Sequence, residues 1–167
     1  NLLRVLGGTA TEADAASAES DTVTVLAANI DDTPGEWTGY CLTRLLEAGA
    51  RDAFCVPISM KKQRPGVVLT VICDSADVAR LEAIMFAETS TFGIRRYVAQ
   101  RSKLAREHET VATPFGAIRV KLGRRGDTLV QVAPEYDDCV AAARAHGVAL
   151  RQVMAAARQA WSEQSAD

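Results

Sequence analysis

Aromatic side chains are scarce in this 167-residue chain: two Trp, three Tyr and four Phe. No run of about 18 apolar residues occurs, which excludes a membrane-spanning helix. No basic start precedes an apolar run, so no secretory signal is visible. The phosphate-binding loop GxxxxGK[ST] is missing. Four cysteines are present, but Cys41, Cys55, Cys73 and Cys139 stand far apart, which excludes a zinc-type pair. Each sits in an apolar run, where a thiol behaves as a small hydrophobe, and a reducing, cytoplasmic setting follows as an expectation. The two histidines, His108 and His146, fall in a charged stretch and just before a glycine, and both read as surface residues. No complete protein-built site for a soft transition metal is recognisable.

What is present is an ordinary globular composition, 48% apolar and 24% charged, enough to form a core and to exclude disorder for most of the chain. The net charge of −2 argues against a DNA- or RNA-binding protein. The charge is unevenly spread. Residues 61–125 carry thirteen basic against six acidic side chains, while both ends are acidic. A basic centre in an acidic chain points to a local anion site.

Residues 1–21 end in a small, polar, acidic stretch that reads as a linker behind the remnant of an upstream domain, with a folded domain expected over 22–167. Val23, Val25 and Ala27 alternate against Thr22, Thr24 and Leu26, which predicts a strand to about Ile30. Thr33-Pro34-Gly35-Glu36 has the form of a capping box, with Thr33 as N-cap. The helix behind it would bury Trp37, Cys41, Leu45 and Ala48 and stop at Gly49. Residues 52–60 read as a strand with Phe54, Val56, Ile58 and Met60 on one face. Residues 61–66 read as a turn, and residues 67–73, apolar throughout, as a central strand. Asp74 or Ser75 is expected to cap a second helix bearing Val78, Leu81, Ile84 and Met85, and a strand follows from Ile94. The order β-α-β-β-α-β is the ferredoxin-like split unit, an α+β fold with an antiparallel sheet under two helices. Three further strands over 109–113, 118–122 and 129–132 form a β-extension. Pro134 is expected to open a helix ending at Gly147, and a last helix starts at Leu150.

Four blocks could carry chemistry. Asn29-Ile30-Asp31-Asp32 puts two carboxylates at a strand end, suited to a hard cation such as Mg²⁺ or Mn²⁺; the alternative is a solvated cap. Met60-Lys61-Lys62-Gln63-Arg64-Pro65-Gly66 could hold phosphates by charge and guanidinium bonds, or be a soluble hairpin tip. In Glu88-Thr89-Ser90-Thr91-Phe92-Gly93-Ile94-Arg95-Arg96, hydroxyls and two arginines could line a polar ligand. Adjacent strand residues point to opposite faces, so Arg95 and Arg96 cannot serve one site together. In Ala133-Pro134-Glu135-Tyr136-Asp137-Asp138-Cys139, acids in a first helical turn are accounted for by the helix dipole.

Together and in this order, NIDD at 29–32, MKKxRPG at 60–66, ETSTFGIRR at 88–96 and APEYDDC at 133–139 resemble the C-terminal half of the LarC-type nickel-pincer nucleotide cofactor nickel insertases. The opening NLLRVLGG is similar to the end of that family's N-terminal domain. Gly35-Glu36-Trp37 departs from the family's pattern. The resemblance implies a CTP-dependent cyclometallase that inserts Ni²⁺ into a pyridinium-3,5-bisthiocarboxylic acid mononucleotide, with CTP consumed to CMP and pyrophosphate and Mg²⁺ or Mn²⁺ present. It further implies that this half binds CTP, works with the N-terminal domain, and forms a homo-oligomer, a trimer or hexamer. Asp31 and Asp32 would lie near the metal and triphosphate. Lys61, Lys62 and Arg64 would bind phosphates with Arg95 or Arg96, and Glu88 and Thr89 would meet the cytosine or ribose. Two other readings of the same residues are a non-enzymatic trimeric sensor of a small anion or nucleotide, and an oligomerisation module.

Overall fold

A computed structural model describes residues 19–165. The expected linker and upstream remnant lie, up to residue 18, outside the described residues. The chain divides into two compact units, Ser20–Arg101 and, among the described residues, Glu19 with 102–165.

The first unit runs β1 (Glu19–Ile30), α1 (Gly35–Glu47), β2 (Asp52–Met60), β3 (Arg64–Cys73), α2 (Val78–Glu88) and β4 (Arg95–Lys103), with the first residue of β1 and the end of β4 crossing its boundary. The sheet order is β2-β3-β1-β4, which is the ferredoxin-like arrangement. β3 is antiparallel to both β1 and β2. The Arg95 guanidinium bonds to Asn29 and that of Arg101 to Asp21, at opposite ends of β1, so β4 also runs antiparallel to it. The core lies on one face of the sheet: Leu26, Ala28 and Ile30 from β1 and Leu69, Val71 and Cys73 from β3 meet Cys41 and Leu45 of α1 and Leu81 and Met85 of α2.

Four local expectations change. β1 starts three residues before Thr22 and is buried from Val23 to Ala28 without the expected alternation. In β2 it is Ala53 and Cys55 that pack on the core, while Phe54 and Val56 face away and are exposed. In α1 the buried stripe is Thr38, Cys41 and Leu45, and Trp37 is 60% exposed. Asp74 gives its carboxylate to Arg51, and a single tight turn, Ser75–Asp77, leads into α2.

The second unit holds β5 (Ala105–Thr113), β6 (Gly116–Arg125), β7 (Thr128–Pro134), α3 (Tyr136–His146) and α4 (Leu150–Gln164). Its three strands pair in sequence order, all antiparallel. Val111, Ile118, Val120 and Leu122 pack under Cys139, Ala142 and Ala143 of α3 and Val153 and Ala157 of α4. Pro134 ends β7 instead of opening α3. It is paired with Val120, and the helix begins two residues later. α3 stops at Gly147, whose φ of 63° is the left-handed conformation that glycine adopts without strain.

Candidate functional site

Three of the four blocks meet at one end of the first unit. β1 delivers Asn29, Asp31 and Asp32 there. The turn between β2 and β3 delivers Lys61, Lys62 and Arg64, and the loop from α2 to β4 delivers Glu88 to Arg95. The register explains this. Ile30, the last residue of β1, pairs with Val67, so the β2–β3 turn lies just beyond it. Gly66 permits the close approach: a Cβ there would stand 2.6 Å from the Ile30 carbonyl oxygen and 2.8 Å from Met60 Sδ.

The expected capping box does not form. α1 begins at Gly35, and the Pro34 carbonyl accepts from Trp37 and Thr38 N–H. Thr33 is instead bonded across the chain to the loop after α2. Ser90 N–H donates to Thr33 Oγ1 at 2.9 Å, the two hydroxyl oxygens are 2.6 Å apart, and Ser90 Oγ donates to Asp32 Oδ1. Each hydroxyl carries one proton, so Thr33 is the donor to Ser90. The result is a directed relay that fixes the Asp32 carboxylate at the entrance to α1.

Asp31 takes a different partner, accepting from Arg64 Nη1 at 3.3 Å. A guanidinium has five N–H donors, so Arg64 keeps donors for a ligand while it orients Asp31. Lys61 and Lys62 are exposed in the turn. Lys62 and Gln63 both have left-handed backbones, at φ 59° and 61°, which is uncommon for residues with a Cβ. Strain of this kind concentrates at binding sites.

The two arginines of the third block part company. Arg95 Nη2 donates to Asn29 Oδ1 at 2.6 Å, next to the acid pair. Arg96 grips both oxygens of Glu82 in α2 at 2.7 and 2.8 Å and faces away from Asn29. Thr89 donates to the Met85 carbonyl at 2.6 Å, tying off the end of α2. Glu88 accepts from Arg44 at 2.9 Å, which joins α2 to α1.

Two clefts flank the cluster. One, about 460 Å³, includes Asp31, Thr33, Thr38, Cys55 and Gly66 in its lining. The other, about 420 Å³, is lined by Trp37, Tyr40, Ala87, Glu88, Thr89 and Ser90. Trp37 and Tyr40 escape a reading of the sequence that assigns Trp37 to the core. The stripes 37-41-45 and 38-41-45 share Cys41 and Leu45, so helical spacing alone does not separate them.

The fourth block lies in the second unit and anchors α3. The Asp138 carboxylate accepts from Arg119 N–H at 3.0 Å and from its guanidinium at 2.8 and 2.9 Å, and these bonds hold its pKa down to about 2. Burial alone would raise the Glu135 carboxyl, but bonds from His108 and Lys121 outweigh it and lower its pKa.

All four cysteines are free thiols, three buried and Cys55 half-buried. Burial pushes the Cys41 thiol up to about 11 and raises Cys55, Cys73 and Cys139 as well, so they stay protonated near neutrality and are weak nucleophiles and weak metal ligands. Among the described residues, no group of three or more His, Cys, Asp and Glu side chains could hold a metal ion. Likewise among the described residues, no helix is long and apolar enough to cross a membrane.

Fold and site together define a ferredoxin-like α+β protein with a mixed acid, hydroxyl and cation cluster at one end of its sheet. The chain belongs to the nickel insertion protein family, whose model matches residues 1–154. A nickel insertion protein of Acaryochloris marina (strain MBIC 11017) is 42% identical over 165 residues, 99% of this chain and 40% of the relative. One from Nostoc sp. (strain PCC 7120 / SAG 25.82 / UTEX 2576) is 40% identical over 92% of this chain and 37% of its own length. The chain thus spans about 40% of the length of the curated relatives it matches. Among solved structures, it is similar to the apo form of LarC2, described as the C-terminal domain of a cyclometallase involved in synthesis of the NPN cofactor of lactate racemase. The TM-score is 0.81 at 40% identity, covering 86% of this chain and 99% of that one. Protein MK0293 from Methanopyrus kandleri AV19 matches with a TM-score of 0.63 at 25% identity, covering 86% and 91%.

Proposed function

We propose that this chain is the nucleotide-binding, C-terminal part of a CTP-dependent nickel insertase. Together with an N-terminal part, in a cytoplasmic homo-oligomer built on trimers, it would insert Ni²⁺ into a pyridinium-3,5-bisthiocarboxylic acid mononucleotide. The observation that carries the reading is the convergence of Asp31 and Asp32, the Thr33–Ser90 hydroxyls and the cations Lys61, Lys62, Arg64 and Arg95 at one end of the sheet.

A triphosphate needs positive charge along its length, and the exposed β2–β3 turn supplies it from Lys61, Lys62 and Arg64. Arg95, on the other side of Asn29, would add to the clamp. Arg96 is committed to Glu82 and is assigned a structural role. The acid pair fits Mg²⁺ or Mn²⁺ in chemistry, since both are hard oxygen donors, but two carboxylates do not complete an octahedron. The remaining donors would be phosphate oxygens and water, and when bound the cation would neutralise triphosphate charge. Asp31, oriented by Arg64, and Asp32, oriented by Ser90, are the residues that would hold it. Nickel is cargo in this reading, bonded to sulfur and carbon of the substrate. With the thiols protonated, the chain's contribution to catalysis is positioning and charge neutralisation.

Calorimetry tests the reading. With Mn²⁺ or Mg²⁺ the chain is expected to bind CTP in preference to ATP, and reversing charge at Lys61, Lys62 and Arg64 together is expected to weaken it about tenfold or more. Absence of CTP affinity with either cation overturns it.

A further inference from the structure

We propose that Trp37 and Tyr40 form a stacking shelf that seats the base of the bound nucleotide; the proposal rests on the nucleotide reading above. The chain has nine aromatic residues, and these two stand 60% and 55% exposed on α1, outside the core of their unit. Three positions apart on a helix, they share a face. Large aromatic surfaces left in water next to a cleft are available for a planar partner, and every nucleobase has a π-face to offer.

The cleft beside them has the composition a base needs. Its volume is about 420 Å³, within the range of small-molecule sites. One wall is aromatic. The facing wall is the end of α2, where Glu88, Thr89 and Ser90 bring a carboxylate and hydroxyls to the ring's edge. Arg44 spans the two walls. Its guanidinium carbon lies 5.9 Å from the Tyr40 ring centroid and its Nη1 donates to Glu88, which fixes the shelf relative to the edge. Ser90 lines this cleft and also bonds to Asp32 and Thr33, so the cleft adjoins the acid cluster. One nucleotide can place its base in the cleft and its phosphates towards Asp31, Arg64 and the lysine turn.

The test compares CTP with inorganic tripolyphosphate, which lacks a base, on the full 167-residue chain with Mn²⁺. Trp37→Ala is expected to weaken CTP about tenfold, as is Tyr40→Ala, with tripolyphosphate binding unchanged and Trp37→Phe recovering most of the CTP affinity. Retained tripolyphosphate binding shows that each variant is folded. CTP affinity equal to wild type in both alanine variants overturns the shelf and leaves the nucleotide reading standing. A wild-type chain that binds neither CTP nor tripolyphosphate overturns the nucleotide reading and the shelf with it.

Discussion

Single residues decide the site's shape more than its charge does. Gly66 has no room for a methyl group, because one obstacle is the Ile30 main-chain oxygen, which cannot move without shifting β1. Gly66→Ala is therefore expected to cost about 1–3 kcal/mol in urea unfolding, the range for overpacking, and to weaken CTP binding by displacing the lysine turn. Asp138, in the other unit, is a structural counterpart. Its folded pKa of about 2 lies below the ordinary value of 3.8, so its stabilising effect is fully present above about pH 4 and is lost as pH falls towards 2. Asp138→Asn is expected to lower stability at pH 7 by about 1 kcal/mol, discounted for the exposure of Arg119, and to flatten the acid limb of the pH–stability curve between pH 4 and 2. An unchanged acid limb would show that the Arg119 bonds do not form in solution.

At the scale of elements, the β2–β3 turn carries a cost for its conformation. A residue with a Cβ held left-handed is strained by about 1–2 kcal/mol, and Lys62 and Gln63 are both so held. Gln63→Gly removes one strain without removing a cation. It is expected to raise stability by about 0.5–1 kcal/mol, less than the full strain because glycine gains freedom in the unfolded chain, while CTP affinity stays near wild type. The position of this turn, the order of the six elements of the first unit and the central place of β3 were legible from alternation, apolar runs and turn residues. So was the placement of Arg95 and Arg96 on opposite faces of β4, which follows from strand geometry. Three features were not legible, each for a physical reason. Both faces of β2 carry apolar side chains, so a period of two does not say that Ala53 and Cys55 face the helices and Phe54 and Val56 do not. Thr33 has the spacing of an N-cap, and its actual partner, Ser90, is 57 residues away. Trp37 competes with Thr38 for one stripe of α1, and tertiary packing chose the smaller residue.

Among the described residues there are two cores, one drawn from residues of Ser20–Arg101 and the other from residues after 102. Each sheet buries one face under its own two helices, and the three blocks of the candidate site all belong to the first unit. Stability is therefore expected to be divided, and hydrogen exchange resolved along the chain reads the division. Leu69 is fully buried in the first core, and Leu69→Ala should cost about 2–5 kcal/mol there. Exchange is expected to speed up across residues 20–101 while the amides of β6 and α3 keep wild-type rates. CTP with Mn²⁺ is expected to act in the opposite sense on the same residues, slowing exchange around Asp31, the β2–β3 turn and the end of α2. Val120→Ala, in the second core, should speed exchange in 102–165 and leave both the first unit's rates and the effect of CTP as they were. If Leu69→Ala instead loosened every element in equal measure, the two cores would form a single cooperative unit and the nucleotide's stabilisation would reach α3 and α4 as well.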